Sequence, residues 1–200
     1  NGPAPLDVGG SDSKFFESAG SLRGLKGQLY EGGIRTPLIA RWPGKINPGS
    51  TTDLPTAFWD ILPTVCEIAG ADARADTDGV SLVPTHTGRG EQKRHEFLYW
   101  EFAGYGGQQA LRLGDWKGIR TGLNKGPSDL EIYNLAGDPN EQQNIAAEHR
   151  EAHQNGAVQV GPEGGNDGEP NQRLPFFGKI STGQKNERPR SEIVLYDMTP

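Results

Sequence analysis

The chain has 200 residues, 33% of them hydrophobic, with Gly 29, Pro 15, one cysteine and a net charge of −6. A single cysteine excludes an internal disulfide framework and a cysteine-rich zinc module. The acidic balance argues against a dedicated nucleic-acid binder, which needs a basic face for phosphates, and no apolar run approaches the ~18 residues that cross a bilayer, so no transmembrane segment is expected.

The sequence opens at Asn1 with no charged-then-apolar leader, which reads as a fragment or a processed product. Residues up to about Pro43 are punctuated by glycine and end in Pro37-Leu38-Ile39-Ala40-Arg41-Trp42-Pro43. Apolar residues between two prolines predict a short buried strand of the parallel-sheet kind. Phe58, Ile61, Leu62, Val65 and Ile68 then recur at spacings of three and four. That pattern predicts a helix with one apolar face, started by Asp53 or Thr56 and stopped at Gly70, with Cys66 on the inside. A strand, a short loop and an amphipathic helix together fit an α/β domain.

The period changes further on. Phe97-Leu98-Tyr99-Trp100-Glu101-Phe102 is rich in strand-forming aromatics. Leu111-Arg112-Leu113 and Trp116-Lys117-Gly118-Ile119-Arg120 flank Gly114-Asp115, which predicts a hairpin. Leu130 to Leu135 supplies another strand before the Asp138-Pro139 turn. Asn140 or Pro139 is expected to open a short helix reaching about His153, closing a small antiparallel sheet. Beyond it, Gly164-Gly165-Asn166-Asp167-Gly168 and few apolar residues predict a flexible stretch.

The most informative segment runs from Leu22 to Pro37, through Lys26-Gly27-Gln28-Leu29-Tyr30-Glu31-Gly32-Gly33-Ile34-Arg35. A lysine between two glycines can bring its ammonium and backbone close to an anion, because no Cβ blocks the approach. Taken alone, a loop lysine is more often simply solvated.

This segment, followed by Arg41-Trp42-Pro43-Gly44, closely resembles the second signature of the type I sulfatases, the arylsulfatase and glycosaminoglycan-sulfatase family of the alkaline phosphatase superfamily. Asn1-Gly2 resembles the end of the family's Ser-Asp-Asn-Gly turn. Asp78-Gly79-Val80-Ser81-Leu82, the aromatic stretch 97–102, Leu113-Gly114-Asp115-Trp116-Lys117, and Glu131-Ile132-Tyr133-Asn134-Leu135 with Asp138-Pro139 follow in the family's order. The resemblance covers residues 1–150.

It implies an α/β fold: residues 1–85 as the end of a mixed-sheet, alkaline-phosphatase-like catalytic domain, 86–153 as a small antiparallel subdomain with a C-terminal helix, and 154–200 as a Gly/Pro-rich flexible tail. It implies a sulfuric ester hydrolase acting on a sulfated small molecule or sulfated carbohydrate. Lys26 would bind a sulfate oxygen as the catalytic cation, and Asn1 would be an amide-oxygen ligand of a divalent metal, usually calcium. Tyr30, Glu31, Gly32, Gly33 and Arg35 would be the scaffold of Lys26, with a Glu31–Arg35 pair inside it. The family's nucleophile, a formylglycine made from Cys or Ser in a Cys/Ser-x-Pro-x-Arg motif, has no counterpart in this chain. Cys66 is followed by Glu67-Ile68-Ala69 and does not match it. The 200 residues alone are therefore expected to be inactive. Two alternatives stand beside this reading: a phosphodiesterase or phosphonate hydrolase of the same superfamily, and a non-catalytic carbohydrate-binding remnant.

Other patterns weigh less. His149 and His153 are spaced for a helical metal pair but lack a third ligand. Asp72, Asp76, Asp78 and Gly79 fail the spacing of a calcium loop. His86 and His95 are expected to be structural or solvated, and Trp100, Tyr105 and Trp116 to pack in the core or at the edge of the small sheet rather than stack on a sugar.

Overall fold

A computed structural model describes residues 1–5, 10–73, 77–126, 129–149, 159–160 and 172–173. The chain divides into two compact units, one formed by Asn1–Thr36 with Tyr99–Pro200 and the other by Pro37–Leu98.

The first unit is built on a sheet of four strands in the order β1 (Leu98–Phe102), β2 (Gln108–Leu113), β3 (Trp116–Thr121) and β4 (Glu131–Asn134). The hairpin expected around Gly114-Asp115 is present, with Leu113 opposite Trp116 and Gln108 opposite Thr121. Gly114 takes φ +57°, which this two-residue turn requires and glycine adopts freely. β4 pairs antiparallel with β3, placing Lys117 opposite Tyr133. Because side chains alternate along a strand, Gln108, Ala110 and Arg112 share one face with Lys117, Ile119, Glu131 and Tyr133. On that face Ala110, Ile119 and Tyr133 pack with Leu29, Tyr30 and Leu135, with Ile34, Trp100 and Phe102 at the margin. A single helical turn, α1 (Glu31–Ile34), follows Tyr30. The segment containing Lys26 thus reaches the sheet through its own Leu29 and Tyr30.

The helix expected from residue 139 or 140 to His153 does not form over its first half. Both carboxylate oxygens of Asp138 accept backbone N–H groups, from Gln142 at 3.0 Å and Gln143 at 2.8 Å. Asn144 accepts the Ile132 N–H at 3.1 Å, and the Ile145 N–H donates to the Ile132 carbonyl at 3.0 Å. The stretch is thereby drawn onto the edge of β4, and only a short 3₁₀ turn, Ala146–His149, remains. The rest of that expected helix lies outside the described residues, as do His153 and Asp76. So does the expected flexible tail, apart from the antiparallel pair β5 (Gln159–Val160) and β6 (Gln172–Arg173).

In the second unit a 3₁₀ turn (Phe58–Asp60) runs into α2 (Ile61–Ala69), and α3 (Val83–Thr87) follows. Gly70 ends α2 in the left-handed conformation at φ +66°, as expected. The start differs: Asp60, rather than Asp53 or Thr56, is the residue at the start of α2, and its carboxylate reaches back to the beginning of the 3₁₀ turn, accepting the Ala57 N–H at 2.8 Å. Asp60 is fully buried and also accepts the Val80 N–H at 2.9 Å and meets His95 Nε2 at 2.8 Å. His95 is structural, one of the two roles expected of it. The apolar stripe of α2 is not enclosed: Phe58, Leu62, Val65 and Ile68 are exposed, and Cys66 is half-buried rather than interior. Nor is 37–43 a strand, since the segment is irregular and Ile39 is 90% exposed. An apolar strand of that kind is stable only between sheet neighbours, and no described strand pairs with it. The described residues of 1–97 contain no strand, so the mixed sheet expected for the front half is not seen.

Candidate functional site

Lys26 lies in a loop folded around the α1 turn. The loop crosses itself: the Leu25 N–H donates to the Gln28 side-chain oxygen at 2.9 Å, and the Gln28 N–H donates to the Leu25 carbonyl at 2.9 Å. Gly24 and Gly27 have φ near +90° on either side, the region that favours glycine. Gly32 donates to the Arg23 carbonyl at 2.7 Å, bringing the incoming chain directly over the turn. This close approach explains the paired glycines: a Cβ on Gly32 would lie 2.3 Å from the Gly24 carbonyl oxygen, and one on Gly33 1.9 Å from that of Gln28.

The first residues join the same turn. Gly2 donates to the Gly33 carbonyl at 2.7 Å, and Lys26 donates its backbone N–H to the Pro3 carbonyl at 2.8 Å. One four-residue turn therefore holds both Lys26 and the segment that begins with Asn1. Both side chains are exposed, and the Lys26 ammonium has no ion pair or hydrogen bond among the described residues.

The turn is fixed to the sheet by buried charge. Glu31, 3% exposed, receives Lys117 Nζ at 2.8 Å on one carboxylate oxygen and has Arg112 at 3.9 Å from the other. Lys117 Nζ also lies 2.8 Å from Glu141 Oε1, while Glu141 Oε2 accepts the Glu31 backbone N–H at 2.6 Å. Glu141 holds φ +55°, an uncommon conformation for glutamate that aims its carboxylate inward. Burial pushes the Glu141 carboxyl above its usual range despite the pull of Lys117, and the neighbouring Glu31 charge adds to that rise. Arg35 takes no part. Its backbone N–H caps the turn at the Glu31 carbonyl, 2.7 Å away, and its side chain is exposed. The expected Glu31–Arg35 pair is replaced by Glu31–Lys117, because Glu31 points into the sheet.

Tyr30 provides the second attachment. Its hydroxyl sits 2.9 Å from both Glu131 carboxylate oxygens, and the Arg23 guanidinium lies 3.8 Å above its ring. Arg23 also donates to the Tyr133 hydroxyl at 2.7 Å and the Glu141 carbonyl at 3.1 Å, and Tyr133 bonds Glu131 in turn. Burial, with the Glu131 carboxylate beside it, pushes the Tyr30 hydroxyl up to about 12. The Tyr133 hydroxyl moves in the same direction for the same reasons. Tyr30, Glu31, Gly32 and Gly33 thus form a scaffold under the Lys26 loop, while Arg35 lies outside it.

Sequence reasoning missed Lys117, Glu141, Glu131 and Arg23. A signal was present for Lys117, which shares strand parity with apolar Ile119 and so had to face inward and find an anion. Among the described residues no group of three or more His, Cys, Asp or Glu side chains could hold a metal ion. None of their helices is long and apolar enough to cross a membrane.

Known proteins with the same pattern bear on what this scaffold serves. The family described as N-sulphoglucosamine sulphohydrolase, C-terminal, matches residues 25–159. Steryl-sulfatase from Mus musculus is 39% identical over 100 residues, covering 49% of this chain and 15% of that protein. Arylsulfatase A from Homo sapiens is 42% identical over 83 residues, covering 41% of this chain and 16% of that protein. The match therefore spans only a small part of either relative's length. A solved chain from work on glycosaminoglycan metabolism by Bacteroides thetaiotaomicron superposes with TM-score 0.53 at 26% identity, covering 72% of this chain and 33% of that one. The sequence signature and the family match agree, and the chain belongs to the sulfatases, corresponding to their C-terminal portion.

Proposed function

We propose that this chain supplies one wall of a sulfate-ester hydrolysis site, with Lys26 as the cation that receives the sulfate group. The observation that carries this reading is the shared turn, in which Gly33 binds Gly2 while the Gly32–Arg23 bond and the Pro3–Lys26 bond fix the loop. An exposed ammonium on a backbone fixed this firmly suits an anion that arrives from solution. Lysine is a compact point charge whose donors can follow one sulfate oxygen. Held in place beforehand, it stabilises the negative charge that builds on the transferring group and the leaving oxygen as the S–O bond breaks.

In this proposal the nucleophile is a formylglycine hydrate outside this sequence, which attacks sulfur and divides the displacement into two easier steps. Cys66 is no substitute, lying within α2 and followed by Glu67-Ile68-Ala69. The calcium implied by the family is tested by the donors present. Asn1 offers one neutral amide oxygen, whereas calcium takes about six to eight oxygen ligands. The described residues alone do not make such a site. Asn1 is proposed as one oxygen donor, completed by groups beyond this chain. The substrate class proposed is a sulfated carbohydrate or sulfated small molecule.

The test uses the whole polypeptide that carries this sequence, offered 4-nitrophenyl sulfate, bis(4-nitrophenyl) phosphate and 4-nitrophenyl phenylphosphonate. A kcat/KM for the sulfate at least tenfold above the others supports the reading. Preference for either phosphorus ester overturns it, and the isolated 200 residues are expected to turn over none.

A further inference from the structure

Tyr105, expected to pack in or beside the sheet, is instead strongly exposed, as are Phe15, Phe16 and Phe58. It is 69% exposed and holds φ +50°, a left-handed conformation that a tyrosine adopts only under constraint. The constraint is visible. Gly106 and Gly107 follow at φ +89° and +81°, and the loop is tied down by the bonds Gly107 to Gly104 at 3.1 Å, Leu123 to Gly107 at 3.2 Å and Asn124 to Gly106 at 2.8 Å. The ring is thereby held directly against the residue after Lys26. A Cβ on Gly27 would lie 2.2 Å from the Tyr105 ring, so the missing side chain at 27 makes room for it. Gln108 joins the two loops, donating to the Gly27 carbonyl at 2.8 Å and to that of Gly104 at 3.5 Å, and accepting the Leu29 N–H at 3.3 Å. Phe102 braces the ring from one side, at 6.0 Å between centroids and 47°.

A large aromatic ring kept in solvent, in a costly backbone conformation and beside the proposed sulfate-binding lysine, is placed for a ligand. We infer that Tyr105 is a substrate-binding residue that stacks on the pyranose ring of a sulfated sugar whose sulfate is held at Lys26. The inference rests on the reading of Lys26 proposed above and adds the class of the leaving group. The surroundings favour a sugar over a sterol. The ring lies against Gly27 and Phe102, between Gly104 and Gly106 in the chain, and the Gln108 amide bonds the carbonyls of Gly27 and Gly104 close by, a setting that suits a ring with one apolar face and hydroxyls at its rim.

The experiment compares wild type, Tyr105→Asn, Tyr105→Phe and Lys26→Ala in the whole polypeptide, with glucosamine 6-sulfate and 4-nitrophenyl sulfate as substrates. Asparagine tolerates the left-handed backbone but has no ring, and phenylalanine keeps the ring. Tyr105→Asn is expected to raise KM for glucosamine 6-sulfate about tenfold, with the loss carried mainly by KM and the melting temperature held within about 2 °C. Tyr105→Phe is expected to stay within about twofold of wild type in KM. Equal KM in Tyr105→Asn and wild type overturns the inference, as does a loss confined to 4-nitrophenyl sulfate or no turnover of the sugar sulfate by wild type. If Lys26→Ala abolishes turnover while Tyr105→Asn changes nothing, the role of Tyr105 fails and that of Lys26 stands. If Lys26→Ala leaves turnover intact, the reading of the lysine fails first.

Discussion

Lys117 Nζ meets Glu31 Oε1 at 2.8 Å with the lysine side chain wholly enclosed, joining the start of β3 to the turn beneath the Lys26 loop. A buried ammonium carries a large desolvation cost, which its two carboxylate neighbours offset only while both stay in place. Lys117→Met leaves Glu31 and Glu141 facing each other with no cation between them. The expected loss is about 3–5 kcal/mol of stability, read by urea unfolding of the whole polypeptide. Adding Glu31→Gln to Lys117→Met is expected to recover part of that loss, because it removes one of the stranded charges.

The paired glycines give a second prediction. Gly33→Ala places a methyl 1.9 Å from the Gln28 carbonyl oxygen and 2.6 Å from that of Leu25, both backbone atoms that cannot swing aside. A loss of about 1–3 kcal/mol or more is expected, by the same overpacking that penalises crowded cores. Gly137→Ala is the control, since a Cβ there meets nothing within 4 Å. Its effect should stay within about 0.5 kcal/mol. Equal melting temperatures for the two variants would contradict the packing of the loop on the turn.

Tyr30 makes the fold sensitive to alkali. Its hydroxyl stays protonated up to about 12 in the fold, against an ordinary value of 10.0. Between those values the unfolded chain releases this proton and the fold retains it, so stability falls as pH rises through that window. Melting temperatures measured from pH 9 to 11.5 should decline, and Tyr30→Phe should flatten the decline. A variant slope equal to that of wild type would place the Tyr30 hydroxyl in solvent.

In the second unit, Asp60 satisfies the Ala57 and Val80 N–H groups and pairs with His95. Asp60→Ala strands those donors in a buried site, at about 1–3 kcal/mol for each group left unsatisfied. Amide exchange at Val80 should quicken sharply in that variant, with little change at Ile119 in the sheet.

The sheet was legible where the signal is local. Alternation on both sides of Gly114-Asp115 marks the hairpin, and the aromatic run marks β1, because strand period and turn chemistry are written in neighbouring residues. The left-handed stop at Gly70 was legible for the same reason. What depends on distant partners was not. Leu38 and Ile39 look like a strand in composition, but composition does not say whether a neighbour is there to pair. Residues 140–145 look helical until Asp138 and Asn144 draw them onto β4. Glu31 and Arg35 have the spacing of a helical pair, yet Glu31 answers Lys117, 86 positions away in sequence. The scaffold residues Tyr30, Glu31, Gly32 and Gly33 were readable only through the sulfatase signature, and their reasons emerge from carbonyl oxygens pressed against the two glycine Cα atoms.

The most direct measurement is the rate of sulfate release by the whole polypeptide carrying Lys26→Ala, with folding verified by an unchanged melting temperature. Loss of one preorganised donor to the reacting group lowers kcat by about 10²–10³, and a drop of that size is expected. A folded variant that still releases sulfate within threefold of the wild-type rate would show that the ammonium at position 26 does not meet the sulfate.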